Sequence, residues 1–274
     1  MPAPGMYSGI TTDDAMNLAM SAKAVPLYNA VKEFIANEVE PVTEKYFALG
    51  EGRPDRWQYG EGQLELLDEL KRKARAKGLW NFFLPNAETG EGLSNLDYAY
   101  IAVELGKNPI ASETMNCSAP DTGNMEVLER VGTPEQKKQW LVPLMAGEIR
   151  SAYAMTEPDV ASSDAKNLAC SAVLDGEEWI VNGQKVWTTL AHLSRFGLLV
   201  VRTDPQAVKH AGLTALIVDM QAPGVEVRPL RQMTGEAEFN EVYFTDVRVP
   251  LKDTLGGAGD GWRVSLTTLM NERV

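Results

Sequence analysis

A change of hydrophobic period near Arg150 constrains this chain more than any other feature. Before it, apolar residues return every three or four positions: Leu27, Val31, Phe34, Ile35 and Val39 form one stripe, and Leu64, Leu66, Leu67, Leu70 and Ala74 another, set between Gly60-Glu61-Gly62 and Gly78. Tyr98, Ile101, Ala102 and Leu105 make a third, stopped by Gly106 and Pro109, and Pro134 opens a helix that runs to Gly147. After Arg150 the segments 169–174, 179–181, 185–189, 197–202, 213–220, 225–230 and 240–249 are rich in Val, Ile, Trp, Tyr and Phe at strand length. Asp175-Gly176 and Asn182-Gly183 lie between segments and predict hairpin turns. The reading is α+β: a helical domain over 1–150 and a middle β-domain of about seven strands over 151–255. At 44% hydrophobic residues the chain has enough apolar material for both.

Residues 256–274 form a third piece. The run Gly256-Gly257-Ala258-Gly259-Asp260-Gly261 fits neither G-x-G-x-x-G nor G-x-x-x-x-G-K-[ST] and follows no βαβ pattern. It reads as a flexible linker, with Asp260 capping a helix from Trp262 onward. That helix reaches Val274 with no Gly or Pro stop signal, so a continuation beyond these residues is expected.

Charge and rare residues narrow the function. Thirty-eight acidic residues against 26 basic ones give a net charge of −12, with no basic block to follow a phosphate backbone, which argues against a nucleic-acid partner. No segment approaches the roughly 20 apolar residues of a membrane span and no leader pattern opens the chain, so a cytoplasmic-type protein is expected. Cys117 and Cys170 are too few for a disulfide framework or zinc site and read as buried thiols. His192 and His210, the only histidines, lack a hydrolase motif around them and read as surface or loop residues.

Two places carry candidate chemistry. The segment Tyr153 to Asp164, at the junction of the two domains, concentrates small hydroxyls, and Pro158 keeps its backbone irregular, leaving N–H groups for a ligand. Composition alone favours an ordinary loop with Asx and Ser turns. In Trp187-Thr188-Thr189 an indole is followed two residues on by a hydroxyl on the same side of a strand. Pattern alone favours a core Trp beside a β-forming Thr.

The combination decides between these readings. Met155-Thr156-Glu157-Pro158 with Ser162-Ser163-Asp164, then Val181-Asn182-Gly183-Gln184-Lys185-Val186-Trp187-Thr188-Thr189, then Phe244-Thr245-Asp246-Val247-Arg248-Val249-Pro250 and Asn271-Glu272-Arg273, in this order, resembles the acyl-CoA dehydrogenase family. The segment Asn116 to Met125 and the double serine are most similar to the subgroup of acyl-CoA dehydrogenases 10 and 11.

That resemblance implies an N-terminal helical domain and a β-barrel-like middle domain, truncated before a C-terminal four-helix domain. It implies an FAD-dependent oxidation of acyl-CoA thioesters to trans-2-enoyl-CoA, of the fatty-acid β-oxidation type. Electron-transferring flavoprotein is the implied acceptor, and a homodimer or homotetramer the implied assembly. Tyr153, Met155, Thr156, Ser162 and Ser163 would border the flavin. Trp187 would pack on its ring, with Thr188 and Thr189 at its edge, and Ser163 and Arg273 would face the CoA thioester. The catalytic base is expected beyond Val274, and without it an isolated chain is expected to be inactive. Two departures stand out: Leu190-Ala191-His192 is bulkier than the family pattern after Thr189, and Met270 replaces an aspartate.

Overall fold

A computed structural model describes residues 18–53, 57–161 and 164–271. The first apolar stripe becomes α1 (Val25–Phe34), which passes through a π-helical turn, Ile35–Val39, into α2 (Glu40–Gly50). A second π-helical turn, Lys137–Leu141, joins α7 (Pro134–Gln136) to α8 (Val142–Met145). Each π turn is followed by a proline in the next turn, Pro41 or Pro143. Proline offers no N–H and its ring crowds the carbonyl four residues back, and the widened turn absorbs that conflict without ending the helix. α3 (Gln63–Ala76) starts after Gly62 and is followed by Gly78, both at positive φ. α4 (Asn95–Leu105) is capped by Ser94, whose Oγ accepts from Asp97 N. Thr133 and Gln136 form a reciprocal capping box on α7. Two further helices, α5 (Ala111–Thr114) and α6 (Asp121–Val131), carry no readable stripe because α6 is buried on nearly every side.

The β-domain has eight described strands: β1 (Ser151–Ala154), β2 (Ser171–Asp175), β3 (Glu178–Thr189), β4 (Phe196–Arg202), β5 (Leu213–Asp219), β6 (Val225–Pro229), β7 (Phe239–Pro250) and β8 (Thr254–Leu255). Their order is β6-β7-β3-β2-β4-β5-β8, with β1 parallel to β4. Ala152, Ala172, Trp179, Leu199, Leu216, Val242 and Phe244, from six strands, meet in one cluster, so the sheet curls around its own core. β4 and β5 are buried on both faces. Phe196, Leu198, Ala215 and Ile217 point the other way into the helical core, where Trp140 meets Phe196 at 5.1 Å between ring centroids.

Asn182-Gly183 is not a hairpin turn but lies within β3, a single twelve-residue strand. Opposite it β7 bulges by one residue, and Asn182 and Asp246 exchange two hydrogen bonds, Asn182 Nδ2 to Asp246 Oδ1 at 3.0 Å and Asp246 N to Asn182 Oδ1 at 2.9 Å. The glycine is needed for a different reason: a Cβ at Gly183 would stand 2.7 Å from Cys170 Cα. Asp175-Gly176 does mark a hairpin, with Gly176 and Glu177 between the paired Asp175 and Glu178 and Gly176 at φ +63°. The glycine-rich run is docked rather than free. Gly259 N donates to Thr214 Oγ1, a Cβ on Gly261 would lie 2.6 Å from Thr214 backbone, and Asp260 holds Arg263 at 2.7 Å. From there α9 (Gly261–Asn271) packs Val264 into the helical core, with Leu266 and Met270 exposed. Both cysteines are buried free thiols. Both histidines are half-buried and ring-stacked, His192 on Trp57 and His210 on Trp262. No helix among the described residues is long and apolar enough to cross a membrane.

Candidate functional site

Two consecutive residues of β3 tie the two motifs together. Lys185, with no exposed surface, donates from Nζ to Met155 O at 2.9 Å and to Glu157 Oε1 at 2.7 Å. Val186 N donates to Thr156 O at 2.9 Å. Trp187 then turns outward. Between the pairs Lys185–Val242 and Thr188–Asn240, β3 carries two residues and β7 one, a β-bulge in which Trp187 adopts φ +61°. A left-handed backbone is unfavourable for a bulky aromatic, so the surrounding ladder must hold it there. The indole is 54% exposed and meets Phe239 edge-on at 5.8 Å.

The other expected residues separate by face. Thr189 pairs with Phe239, the ring that supports Trp187, and is half-buried on that side. Thr188 pairs with Asn240 and is buried, and its hydroxyl has no hydrogen-bond partner. Its side chain therefore faces the interior, leaving only its main chain for a ligand. Tyr153 lies on β1 rather than in an irregular loop, and its hydroxyl approaches Met155 Sδ at 3.5 Å. Met155 is buried with Ala165, Leu168, Val200 and Leu213, and its carbonyl accepts from Lys185. Ser162, Ser163 and Arg273 lie outside the described residues.

Two residues without an expected role organise the site. Glu157 accepts from Ala169 N at 2.6 Å, from Cys170 N at 2.9 Å and from Lys185, so both carboxylate oxygens are used in packing the loop. Burial in turn holds Lys185 below the usual ammonium range, against the pull of Cys170 and Glu157, and pushes the Cys170 thiol up to about 11. A lysine in an apolar strand two positions before the outward-turned Trp was the readable signal, since a buried ammonium needs a carboxylate.

Deeper at the domain junction lies a second charged cluster. Arg150 bridges Glu113 at 2.6 Å and Asp121 at 3.3 Å, Lys71 reaches Glu113 at 2.5 Å, and Asp121 accepts from Ser151 N and Oγ at the start of β1. Burial opposes ionisation of Glu113, yet Arg150 and Lys71 hold it below the usual carboxylate range.

The bulky Leu190-Ala191-His192 turns away from the indole. Leu190 N donates to Glu238 O at 2.7 Å, and Leu190 and His192 line a cavity of about 410 Å³ with Tyr46, Trp57 and Tyr59. Neither Thr156 nor Trp187 borders that cavity; Thr156 is half-buried and Trp187 exposed. A half-exposed indole, flanked by the Thr156 and Thr189 positions and backed by a neutral buried ion pair, suits a planar aromatic ring with a polar edge. An isoalloxazine has that character.

Comparison with known proteins agrees. Residues 23–148 match the family model for the acyl-CoA dehydrogenase N-terminal domain, and residues 152–247 that for the middle domain. Acyl-CoA dehydrogenase family member 10 of Mus musculus is 43% identical over 250 residues, covering 87% of this chain and 23% of the relative. Family member 11 of Homo sapiens is 41% identical over 247 residues, covering 86% of this chain and 31% of the relative. A solved Mycobacterium abscessus structure assigned to the acyl-CoA dehydrogenases superposes with a TM-score of 0.86 at 42% identity, over 93% of this chain and 65% of that one. The chain thus spans less than two thirds of each of these relatives. On two matching domain models and a shared fold, the chain belongs to the acyl-CoA dehydrogenase family.

Proposed function

We propose that this chain supplies one wall of the flavin site of an FAD-dependent acyl-CoA dehydrogenase that oxidises acyl-CoA thioesters to trans-2-enoyl-CoA. The observation that carries the proposal is the junction of Thr156 with Val186 beside a bulge that turns Trp187 outward. Trp187 would stack on the isoalloxazine, Thr189 would face its edge, and Thr156 would meet the pyrimidine side through main chain and hydroxyl. Ser162 and Ser163 would follow along the pyrophosphate. Ser163 and Arg273 would approach the CoA thioester. When bound, FAD supplies two-electron acceptor chemistry. The chain's own residues orient the ring, cover one face against water and leave the opposite side open for a thioester.

Loss of the α-proton places negative charge on the thioester carbonyl oxygen, which requires preorganised donors and a carboxylate base. Glu157 is not that base, because Ala169, Cys170 and Lys185 already engage both of its oxygens. We assign the base to a residue outside this wall, and with it the expectation that these 274 residues alone do not turn over. An electron-transferring flavoprotein as acceptor, self-association of subunits and a cytoplasmic location complete the reading.

The half-exposed Trp187 also favours a second reading, in which the chain is a non-catalytic partner whose wall is completed by another polypeptide. Anaerobic addition of acyl-CoA thioesters to the FAD-loaded product of the gene, expressed with the sequence that follows codon 274, separates the two. Bleaching of the visible flavin band with at least one chain length supports the dehydrogenase, and persistent yellow colour with every chain length rules it out.

A further inference from the structure

We infer that Lys185 is a positioning residue for the flavin, acting through the Met155 carbonyl and the Glu157 carboxylate to set the loop edge against Trp187. The inference rests on the flavin reading above.

A fully buried ion pair is a weak stabiliser, because desolvation of the two charges offsets most of their attraction, and an apolar side chain of similar volume packs as well. Lys185 has no exposed surface and Glu157 almost none. Their presence therefore has to be explained by what they hold in place. The ammonium directs one donor to Met155 O and another to Glu157 Oε1, at 2.9 and 2.7 Å. Glu157 passes the constraint on to Ala169 N and Cys170 N, at the entry to β2. The next residue, Val186, bonds Thr156 O, and the one after that is the left-handed Trp187.

The side chain of Lys185 and the main chain of Val186 thus fix Met155, Thr156 and Glu157 to two successive positions of one strand, next to the bulge. Without the ammonium, Val186 N is the one remaining hydrogen bond from this stretch of β3 to the loop among the described residues. The loop edge and the indole would then no longer share a fixed separation. A ligand contacting both would lose one set of contacts or have to order them again at a cost in affinity.

The test compares the wild-type protein, expressed with the sequence that follows codon 274 in its gene, with Lys185→Met and with the double variant Lys185→Met/Glu157→Gln in the same background. Circular dichroism and thermal melting report the fold, and titration with FAD reports affinity and the shape of the visible band. Lys185→Met alone leaves the Glu157 carboxylate buried without its counter-charge and can unfold for that reason. The double variant removes both charges, and the carboxamide it introduces keeps one acceptor oxygen for the amide of Cys170, at the cost of the acceptor that Ala169 N had. We expect the double variant to melt cooperatively like the wild type and to bind FAD about tenfold more weakly, the effect of one lost charge-assisted hydrogen bond. The bound flavin should also show a visible band shifted toward that of free FAD, which a scaffold role alone would not produce. A folded double variant with wild-type affinity and band shape overturns the inference. So does a double variant that does not fold, since the pair would then serve the scaffold. A wild-type chain that binds no FAD fails in its own arm, and there the flavin reading falls and takes the inference with it.

Discussion

At the scale of single residues the account turns on Trp187. An aromatic residue at φ +61° sits in a region that costs of order 1 kcal/mol or more, and glycine tolerates that backbone freely. Trp187→Gly should therefore melt within about 1 kcal/mol of the wild type, lost contact with Phe239 offsetting relieved backbone strain. FAD affinity should fall at the same time, and calorimetry with a flavin titration checks both. A large loss of stability would show that the indole is a packing residue instead. His192 gives a pH prediction. Burial, opposed by its bonds to Asn240 and Trp57, holds its imidazole below the ordinary value of 6.5. A base depressed in the folded state contributes stability that is full above the unfolded value and is lost as pH falls through the folded one. Melting temperature should thus decline as pH drops below 6.5, and His192→Gln should flatten that decline. Of the residues around the site, Trp187 and Thr156 were legible because the motifs name them. Lys185 and Glu157 stand in the same motifs, but their pairing was not legible, because a strand pattern does not say which carboxylate an interior lysine meets.

At the scale of elements, legibility followed exposure. α1, α3 and α4 each keep a solvent face, so their apolar stripes stand out in the sequence. α6 buries Asp121, Asn124 and Glu126 along with Met125, Val127 and Leu128, and no stripe survives. β1 carries no strand pattern in the sequence because three of its four residues, Ser151, Ala152 and Ala154, have little β propensity, and pairing with β4 decides their conformation. Asn182-Gly183 misleads for a different reason. Its glycine answers a close approach of Cys170 and its asparagine pairs with Asp246, and neither contact is local in sequence. Gly183→Ala should accordingly destabilise the β-domain by roughly 2–3 kcal/mol, through overpacking against Cys170 at φ +146°. Denaturant titration measures this, and a neutral result would mean that β2 and β3 have room to separate.

At the scale of the whole molecule, the two domains share one core across β4 and β5, and a buried charge cluster fastens the junction from which β1 enters the site. Arg150 neutralises Glu113 and Asp121 together. Arg150→Ala should cost about 3 kcal/mol or more, because it leaves Glu113 with Lys71 alone and takes from Asp121 the cation it is paired with. The loss should shrink as pH is lowered and those carboxylates take up protons, which a melting series in Arg150→Ala would reveal. The family and its two-domain layout were visible in the period change and the ordered motifs. The exposed face of Trp187 was not, since it depends on a bulge that the strand pattern does not encode. Time-resolved fluorescence of FAD added to the wild-type chain and to Trp187→Ala tests that face most directly. An indole stacked on the flavin should quench it, giving a short-lived component in the wild type that disappears in the variant while the other tryptophans remain. Identical decays in the two proteins would contradict the account.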